Sequence, residues 1–330
     1  MTPYSNRDRK PSPFLIIGLL LILSSFLLSV NAQDYPTRPI KIIVPFTPGG
    51  GNDVYAREIA QKLTERLGQT VIVDNRPGAG GNIGADLVAK APADGYTLLL
   101  AQNGLTMAPL VSKNVTYDFN KDLSPIGFGA TLPLGIAVAT SLPIKNMADL
   151  IAYAKKNTGK LSYATPGIGT PHHLFTELFL STTNTQMVHI PYKGAAGMLT
   201  DLISNQVQVV FGALNSMLPH HTSGKIRIIA LGEHQRNPIL KDMPTVNETV
   251  PGYEGVYWFG LMATGGTPEA ILNKLSEEQR LIVNTPEVRE RLAVAGFDIN
   301  PTSPKEMRKL MGAEYEKWSM VVKSTNIKPE

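Results

Sequence analysis

Short apolar segments rich in β-branched residues alternate with longer segments of helical periodicity, and this alternation restricts the fold more than any other feature. Residues 39–45 form the first such segment, and a glycine run and a helical pattern over 54–67 follow it, with Gly68 placed as the C-terminal glycine of that helix. A predicted strand at 70–73 and a predicted helix at 84–90 repeat the order. Continuous apolar strands connected through helices are typical of a parallel sheet covered on both faces. The sequence therefore predicts an α/β fold.

The same pattern continues through the rest of the chain. Further predicted strands lie at 97–101, 161–164, 186–189, 207–211 and 226–231. Further predicted helices lie at 148–156, 173–181 and 198–205. The tail from 268 to 330 is predicted to be mostly helical, with Pro286 and Pro304 in the first turns of two helices.

Two long apolar segments, 126–139 and 253–263, do not fit this alternation. Both contain glycines and are extended in character, so we expect them to be strands that cross between two lobes. The first lobe is predicted over 33–132 and 256–330, and the second over 133–255. Two crossings form a hinge, and the cleft between hinged lobes is where small ligands bind.

The N-terminus has the order of a secretory signal peptide. Residues 1–13 are polar with several basic side chains, 14–30 are apolar, and small or short residues stand at Val30 and Ala32. We therefore expect residues 1–32 to be removed and the mature protein to be periplasmic. The alternative is an uncleaved signal anchor, because the apolar run approaches the length that spans a bilayer.

Composition excludes several classes of function. The chain has no cysteine, which removes disulfides, thiolate metal sites and cysteine nucleophiles. Its formal net charge is +4 without any block of Lys or Arg, so we expect no nucleic-acid partner. The adjacent histidine pairs, at 172–173 and 220–221, lack the spacing of a zinc site. We expect neither a metal nor a cofactor.

Two glycine-rich turns, 44–53 and 165–173, each leave a predicted strand and open a predicted helix. Glycine lets the backbone approach a ligand closely, and the free N–H groups of a first helical turn favour an anion. Two such helix N-termini facing across a cleft can hold a carboxylate by partial charge alone. For either turn taken singly, a purely structural tight turn is the alternative. Asp53 is predicted to cap its helix rather than to contact a ligand, because it would repel a carboxylate.

Five segments resemble one known family in sequence and order. They are PFTPGGGND, NRPGAGGNIGA, GIGTPHH, HIPYKG and KWSMVVKSTNIKPE, and they resemble the Bug-type (TctC-like) substrate-binding proteins of tripartite tricarboxylate transporters. The resemblance implies a two-lobed, type II-like periplasmic binding protein in which each lobe is a mostly parallel sheet flanked by helices. It further implies a monomer that closes on a small carboxylate and delivers it to the transporter's membrane subunits.

The resemblance also nominates ligand-binding residues. Carried onto this chain, the glycine turns supply Phe46, Thr47, Gly49, Gly50, Gly167, Gly169 and Thr170. Three polar residues at neighbouring strand ends are expected at the same cleft: Asn103, Tyr192 and Lys193. The chain departs from the family at Gly212, where members often carry an acidic residue, and we expect this change to remove a polar group near the ligand.

Two other functions are alternatives. The segment 78–84 is similar to a dinucleotide-binding turn, but four residues separate it from its strand, and the next strand ends in Gln102-Asn103 without an acidic residue for a ribose hydroxyl. No hydrolase or Walker motif occurs either, so we expect no enzyme. A sensory protein that presents its ligand to a membrane kinase is the second alternative, since transport and signalling use the same closed lobes.

Overall fold

The computed structural model describes residues 35–237 and 240–325. The predicted signal peptide and its cleavage site lie outside the described residues. Within them, the strands are β1 (Ile40–Val44), β2 (Val71–Asn75), β3 (Thr97–Gln102), β4 (Leu123–Ala139), β5 (Ser162–Thr165), β6 (Val188–Pro191), β7 (Val209–Ala213), β8 (Ile226–Leu231), β9 (Val256–Thr264) and β10 (Asp298–Ile299). The α-helices are α1 (Gly51–Leu67), α2 (Asn82–Ala89), α3 (Gly104–Val111), α4 (Met147–Lys156), α5 (Pro171–Thr183), α6 (Ala195–Ile203), α7 (Leu214–Thr222), α8 (Glu269–Val283), α9 (Pro286–Val294) and α10 (Pro304–Thr325).

These strands form a mixed sheet in the order β2-β1-β3-β9-β4-β7-β5-β6. β1 pairs in parallel with β2 and β3, and β5 pairs in parallel with β6 and β7. β9 is antiparallel to both β3 and β4, while β7 and β8 are antiparallel to β4. Each lobe therefore has a parallel group of strands completed by antiparallel ones, which confirms the predicted two-lobed α/β class.

β4 is the strand that runs through both lobes. It pairs with β9 from Leu123 to Pro133 and with β7 and β8 from Leu134 onward. At the change of partner, Leu134 bonds through its backbone to Gly255 and Gly232. The limits of the lobes, 33–132 with 256–330 and 133–255, stay a prediction.

Most predicted helix ends are confirmed. Gly68 has a left-handed backbone, with φ of 66°, and its N–H bonds to the Thr64 carbonyl oxygen. Pro286 and Pro304 are the first residues of α9 and α10. The sequence analysis missed α3 and α7, which are short and directly follow strands, and it missed the two-residue strand β10.

Each lobe has its own buried apolar cluster. Ile43, Leu99 and Met262 belong to the cluster of the first lobe, and Val210 and Ile228 to that of the second. α10 contacts β4, α3 and α5, so the C-terminal helix packs against both lobes. None of the helices in the described part of the chain is long and apolar enough to cross a membrane.

Candidate functional site

A small cavity, which we call the interlobe cavity, lies where several helices begin. Its volume is about 30 Å³. Both lobes contribute to its lining, which consists of Phe46, Thr47, Gly50, Gly51, Asn52, Gln102, Pro166, His172, Gly194, Ala195, Ala213, Tyr257 and Phe259. Gly50, Gly194 and Ala213 are the N-cap residues of α1, α6 and α7, and His172 lies in the first turn of α5. Four helix N-termini therefore meet at one cavity.

The lining has positive partial charge but no formal charge. None of its residues is Lys, Arg, Asp or Glu. Burial lowers the pKa of His172 to about 3, so its ring is neutral at neutral pH. Helix N-termini carry a positive partial charge and unpaired N–H groups, which favour an anion. Among the described residues, no group of three or more metal-ligating side chains occurs. The cavity thus has the electrostatics of an anion site without a cation.

Four polar side chains of the lining contain buried atoms without a hydrogen-bond partner among the described residues. They are the Asn52 Oδ1, both amide atoms of Gln102, the His172 Nδ1 and the Tyr257 hydroxyl. Gln102 and Tyr257 are only 4% and 1% exposed. Buried polar groups in proteins are nearly always paired, and leaving one unpaired costs about 1–3 kcal/mol. Their concentration at one cavity marks it as a site for a polar ligand.

The side chain of Asp53, in the first turn of α1, stabilises the first glycine turn. The Asp53 carboxylate accepts hydrogen bonds from the Gly49 N–H at 3.1 Å, from Arg57 Nε at 2.9 Å and from Asn75 Nδ2 at 3.0 Å. Burial raises the pKa of Asp53, but these three donors outweigh it and lower the pKa below its usual value. The N-cap position belongs to Gly50, so the prediction of Asp53 as the cap residue is wrong in position. Its carboxylate nevertheless fixes the turn and stays out of the cavity lining.

The second glycine turn is closed by Thr170. The Thr170 hydroxyl donates to the Gly167 carbonyl at 2.6 Å and accepts from the His173 N–H at 3.4 Å, which makes Thr170 the N-cap of α5. Gly167 and Gly169 both have positive φ, of 136° and 75°. From this turn and the helix start that follows, Pro166 and His172 reach the lining, whereas the side chain of Thr170 is occupied in holding the loop.

A stacked histidine pair, of which His173 is buried and His189 is half-buried, lies behind the second turn. The rings of His173 and His189 stack with their centroids 4.6 Å apart, and the His189 Nε2 lies 2.6 Å from the Thr165 hydroxyl. The Gly169 N–H donates to His173 Nδ1 at 3.5 Å, so the His173 side chain stabilises the turn. Burial lowers the pKa of His173 to about 3 and that of His189 to about 4, and the neighbouring His189 further lowers that of His173.

The third glycine-rich segment, 78–84, makes a contact between the lobes. A Cβ atom at Gly80 would collide with the carbonyl oxygen of Ile168 in the second turn, and a Cβ at Gly167 would lie 3.3 Å from the Gly80 Cα. A Cβ at Gly194 would likewise collide with the Thr47 hydroxyl. Gly80 and Gly167 therefore permit close approach of two backbones across the cleft, and Gly194 permits close approach to the Thr47 side chain.

The structure brings some of the predicted ligand residues to the cavity and leaves others outside its lining. Phe46, Thr47 and Gly50 line it. The residues outside the lining are Gly49, Gly167, Gly169, Thr170, Asn103, Tyr192 and Lys193. The Tyr192 hydroxyl donates to Asp201 at 2.5 Å, and Lys193 is exposed. The Asn103 amide N–H donates to the Glu314 carboxylate, and the Asn103 Oδ1 accepts from the backbone N–H of Trp258. A ligand role for these residues stays a prediction.

The lining also contains Asn52, Gln102, His172 and Tyr257, which were not predicted to be ligand residues. The sequence did contain signals that could have identified two of these residues. Gln102 immediately precedes Asn103 at the end of β3, and His172 lies in the first turn of α5, the helix that follows the second glycine turn. At the departure from the family pattern, Ala213 rather than Gly212 lies in the lining. A Cβ at Gly212 would face Val210 and Met217, and the expectation that this position removes a polar group near the ligand stays a prediction.

The fold and the cavity together define a two-lobed α/β solute-binding protein. The model of the tripartite tricarboxylate transporter family receptor matches residues 55–327, and the chain belongs to that family. Receptors of this family are periplasmic solute-binding proteins rather than enzymes.

Similar proteins cover nearly the whole chain. The protein BugT of Bordetella pertussis is 34% identical over 316 residues, which is 95% of this chain and 97% of BugT. The structure of Rpa4515 from R. palustris with adipate is 37% identical and has a TM-score of 0.87, covering 90% of this chain and 100% of that one. MatC from Rhodopseudomonas palustris with bound malate is 28% identical, with a TM-score of 0.83 over 87% of this chain and 100% of that one.

Proposed function

We propose that this chain is the periplasmic receptor that captures a small carboxylate in the interlobe cavity and delivers it to the membrane subunits of a tripartite tricarboxylate transporter. Family membership supports the transport role, and the solved structures of neighbours with adipate and with malate support the ligand class. The observation that carries the proposal is the meeting of four helix N-termini with four unpartnered polar side chains in a lining that has no formal charge.

Each of these groups has a role toward a carboxylate. The N–H groups at the starts of α1, α5, α6 and α7 supply partial positive charge. The Tyr257 hydroxyl and the Gln102 amide N–H donate hydrogen bonds to carboxylate oxygens, and a bond of this kind to a charged acceptor contributes about 1.5–3 kcal/mol. The Gln102 and Asn52 carbonyl oxygens accept from a hydroxyl or from a bound water. Phe46 and Phe259 pack against the carbon chain of the ligand.

Binding requires movement of the lobes. A cavity of about 30 Å³ holds no more than a few water molecules, which is much less than a four- or six-carbon diacid occupies. The ligand therefore enters when the lobes separate, and we infer that the movement takes place where β4 changes its pairing partner, at Leu134. A ligand that contacts both lobes shifts the population toward the closed form by its extra affinity for that form.

Calorimetry with the mature protein tests the proposal. Adipate and malate are titrated at pH 7, with adipamide as a control that keeps the shape of adipate without its negative charge. We expect at least one of the two acids to bind with micromolar affinity or better, which corresponds to about −8 kcal/mol, and adipamide to bind at least about a hundredfold more weakly. Equal binding of adipate and adipamide would contradict an anion site, and absence of binding by both acids would contradict the ligand class.

A further inference from the structure

A second and larger cavity, which we call the rear cavity, lies on the opposite face of β9 from the interlobe cavity. Its volume is about 490 Å³, within the range of small-molecule sites. Side chains alternate between the two faces of a strand. Tyr257 and Phe259 accordingly line the interlobe cavity, whereas Val256 and Trp258 line the rear cavity. The strand that bears the predicted carboxylate site is thus also a wall of a separate chamber.

Aromatic rings form much of the wall of the rear cavity. The centroids of Phe128 and Trp258 lie 4.5 Å apart, and those of Phe175 and Trp318 lie 5.3 Å apart. These four residues come from β4, β9, α5 and α10, so both lobes border the cavity. The faces of Trp and Phe rings attract cations, and several rings around one space are a recurrent means of binding ammonium groups.

The charged residues of the rear cavity are Glu254, Glu314 and Lys317, which give it a net negative charge. Lys317 forms an ion pair with Glu254 at 3.2 Å, and Glu314 has no ion-pair partner within 4 Å among the described residues. The carboxylate of Glu314 accepts hydrogen bonds from Asn103 at 2.5 Å, Thr106 at 2.7 Å and the Trp258 indole N–H at 2.8 Å. Burial raises the pKa of Glu314 above its usual value, and the three donors oppose this shift by favouring the ionised form. A cation beside the carboxylate would favour the ionised form further.

We propose that the rear cavity binds a small organic cation, an ammonium group on an apolar body, with the ammonium beside Glu314 and the body against the aromatic rings. The negative charge and the aromatic faces both select for a cation and against the carboxylates proposed for the interlobe cavity. Nothing in this assignment depends on the identity of the interlobe ligand.

Three probes of equal length test the charge preference at pH 7: n-hexylammonium, n-hexanol and hexanoate. In calorimetry and thermal unfolding we expect hexylammonium to bind and to raise the Tm of the wild-type protein. Hexanol should bind about tenfold more weakly or worse, since it lacks the charge, and hexanoate should not compete with hexylammonium for the rear cavity. Binding of hexanol as tight as that of hexylammonium would contradict a cation site, and no binding of hexylammonium would overturn the proposal altogether.

Two variants locate the site. Ala313 is an exposed residue of the cavity lining on α10, so Ala313→Trp fills the cavity without removing a buried contact. We expect Ala313→Trp to weaken hexylammonium binding at least about tenfold while the Tm of the free protein stays close to wild type. Glu316→Trp places the same side chain on an exposed position of the same helix outside the lining, and it should leave binding unchanged. Equal affinities in the two variants would show that the amine binds elsewhere.

A third variant tests the partner of the ammonium group. Glu314→Gln removes the negative charge, and we expect it to bring the affinities for hexylammonium and hexanol to within about twofold of each other. A preference for hexylammonium that persists in a folded Glu314→Gln protein would show that Glu314 does not contact the cation. Ala313→Trp and its control test the location independently if Glu314→Gln is poorly folded.

Discussion

The two faces of β9 differ in how their polar groups are satisfied. On the interlobe face, Tyr257 and its neighbour Gln102 keep polar atoms without partners among the described residues. On the rear face, the Trp258 indole N–H and the Asn103 amide both donate to Glu314. Unpaired buried polar groups cost stability, and paired ones maintain the fold. On the interlobe face, polar groups are therefore available to the proposed carboxylate, whereas on the rear face the donors are already bonded and only the Glu314 carboxylate is available to the proposed cation.

Removal of Glu314 should produce the largest loss of stability. Glu314→Ala leaves the Asn103, Thr106 and Trp258 donors without their acceptor in a buried environment, and we expect a loss of about 3 kcal/mol in the free energy of unfolding. Chemical denaturation measures it, with Glu316→Ala on the exposed face of the same helix as the control. A folded Glu314→Ala protein should still bind its carboxylate. A loss of carboxylate binding without a loss of stability would reverse the roles assigned to the two faces.

The buried histidines predict a pH dependence of stability. The pKa values of His172 and His173 are lowered to about 3, and that of His189 to about 4, by burial, whereas in an unfolded chain they are near 6.5. The unfolded chain thus binds more protons than the folded one between pH 6.5 and 4. Their contribution to stability is present above pH 6.5 and is lost as the pH falls through this interval.

His189→Gln isolates one of these titrations, because it removes the ionisable ring next to Thr165 behind the second glycine turn. We expect the slope of unfolding free energy against pH between 6 and 4.5 to decrease by about 1.4 kcal/mol per pH unit, the value for one proton. Denaturation series at several pH values measure the slope, and His234→Gln, at an exposed position, is the control. An unchanged slope would mean that the His189 ring titrates alike in the folded and unfolded states.

Lys193 should show the smallest effect. It is exposed and lies outside the lining of the interlobe cavity, although the sequence nominated it as a ligand residue. We expect Lys193→Gln to change carboxylate affinity by less than about twofold, because a solvated charge at the surface is strongly screened. A tenfold loss in calorimetry would show that the lysine swings into the cleft and that the site does use a formal cation.

Much of the fold was predictable from sequence, because apolar segments indicate the strands and because glycine and proline residues indicate the ends of helices. Strands β1 and β8 are apolar except for one basic residue each, Lys41 and Arg227. Gly68 and Pro304 mark helix ends by their backbone restrictions alone. The missed helices α3 and α7 each carry an internal proline, Pro109 and Pro219, which lowers helix propensity. Tertiary packing after β3 and β7 overrides that local preference.

The candidate site was predictable at the level of turns but not of side chains. Both glycine turns supply the lining, yet Thr170 is occupied as an N-cap, and Asn103 is held on the rear face by Glu314, which is distant in sequence. The role of Tyr257 depends on the register of β9, which decides the face that each side chain occupies. A single sequence does not contain these long-range pairings explicitly, so it indicated both loops that supply the cavity lining but only some of the lining residues.

The two tyrosines near the crossing strands provide the most direct test of the central claim that the unpartnered groups of the interlobe face serve a ligand. The hydroxyl of Tyr257 has no partner, whereas that of Tyr253 donates to the Phe175 carbonyl at 3.0 Å. Affinity for adipate and Tm are measured for Tyr257→Phe and Tyr253→Phe, and each substitution removes a single oxygen atom.

The account predicts opposite outcomes for the two variants. Tyr257→Phe should lose about tenfold in adipate affinity with a Tm equal to or above wild type, because no native bond is broken. Tyr253→Phe should keep its affinity and lose about 1 kcal/mol of stability with the bond to Phe175. Wild-type adipate affinity in Tyr257→Phe, together with a lowered Tm, would contradict the claim.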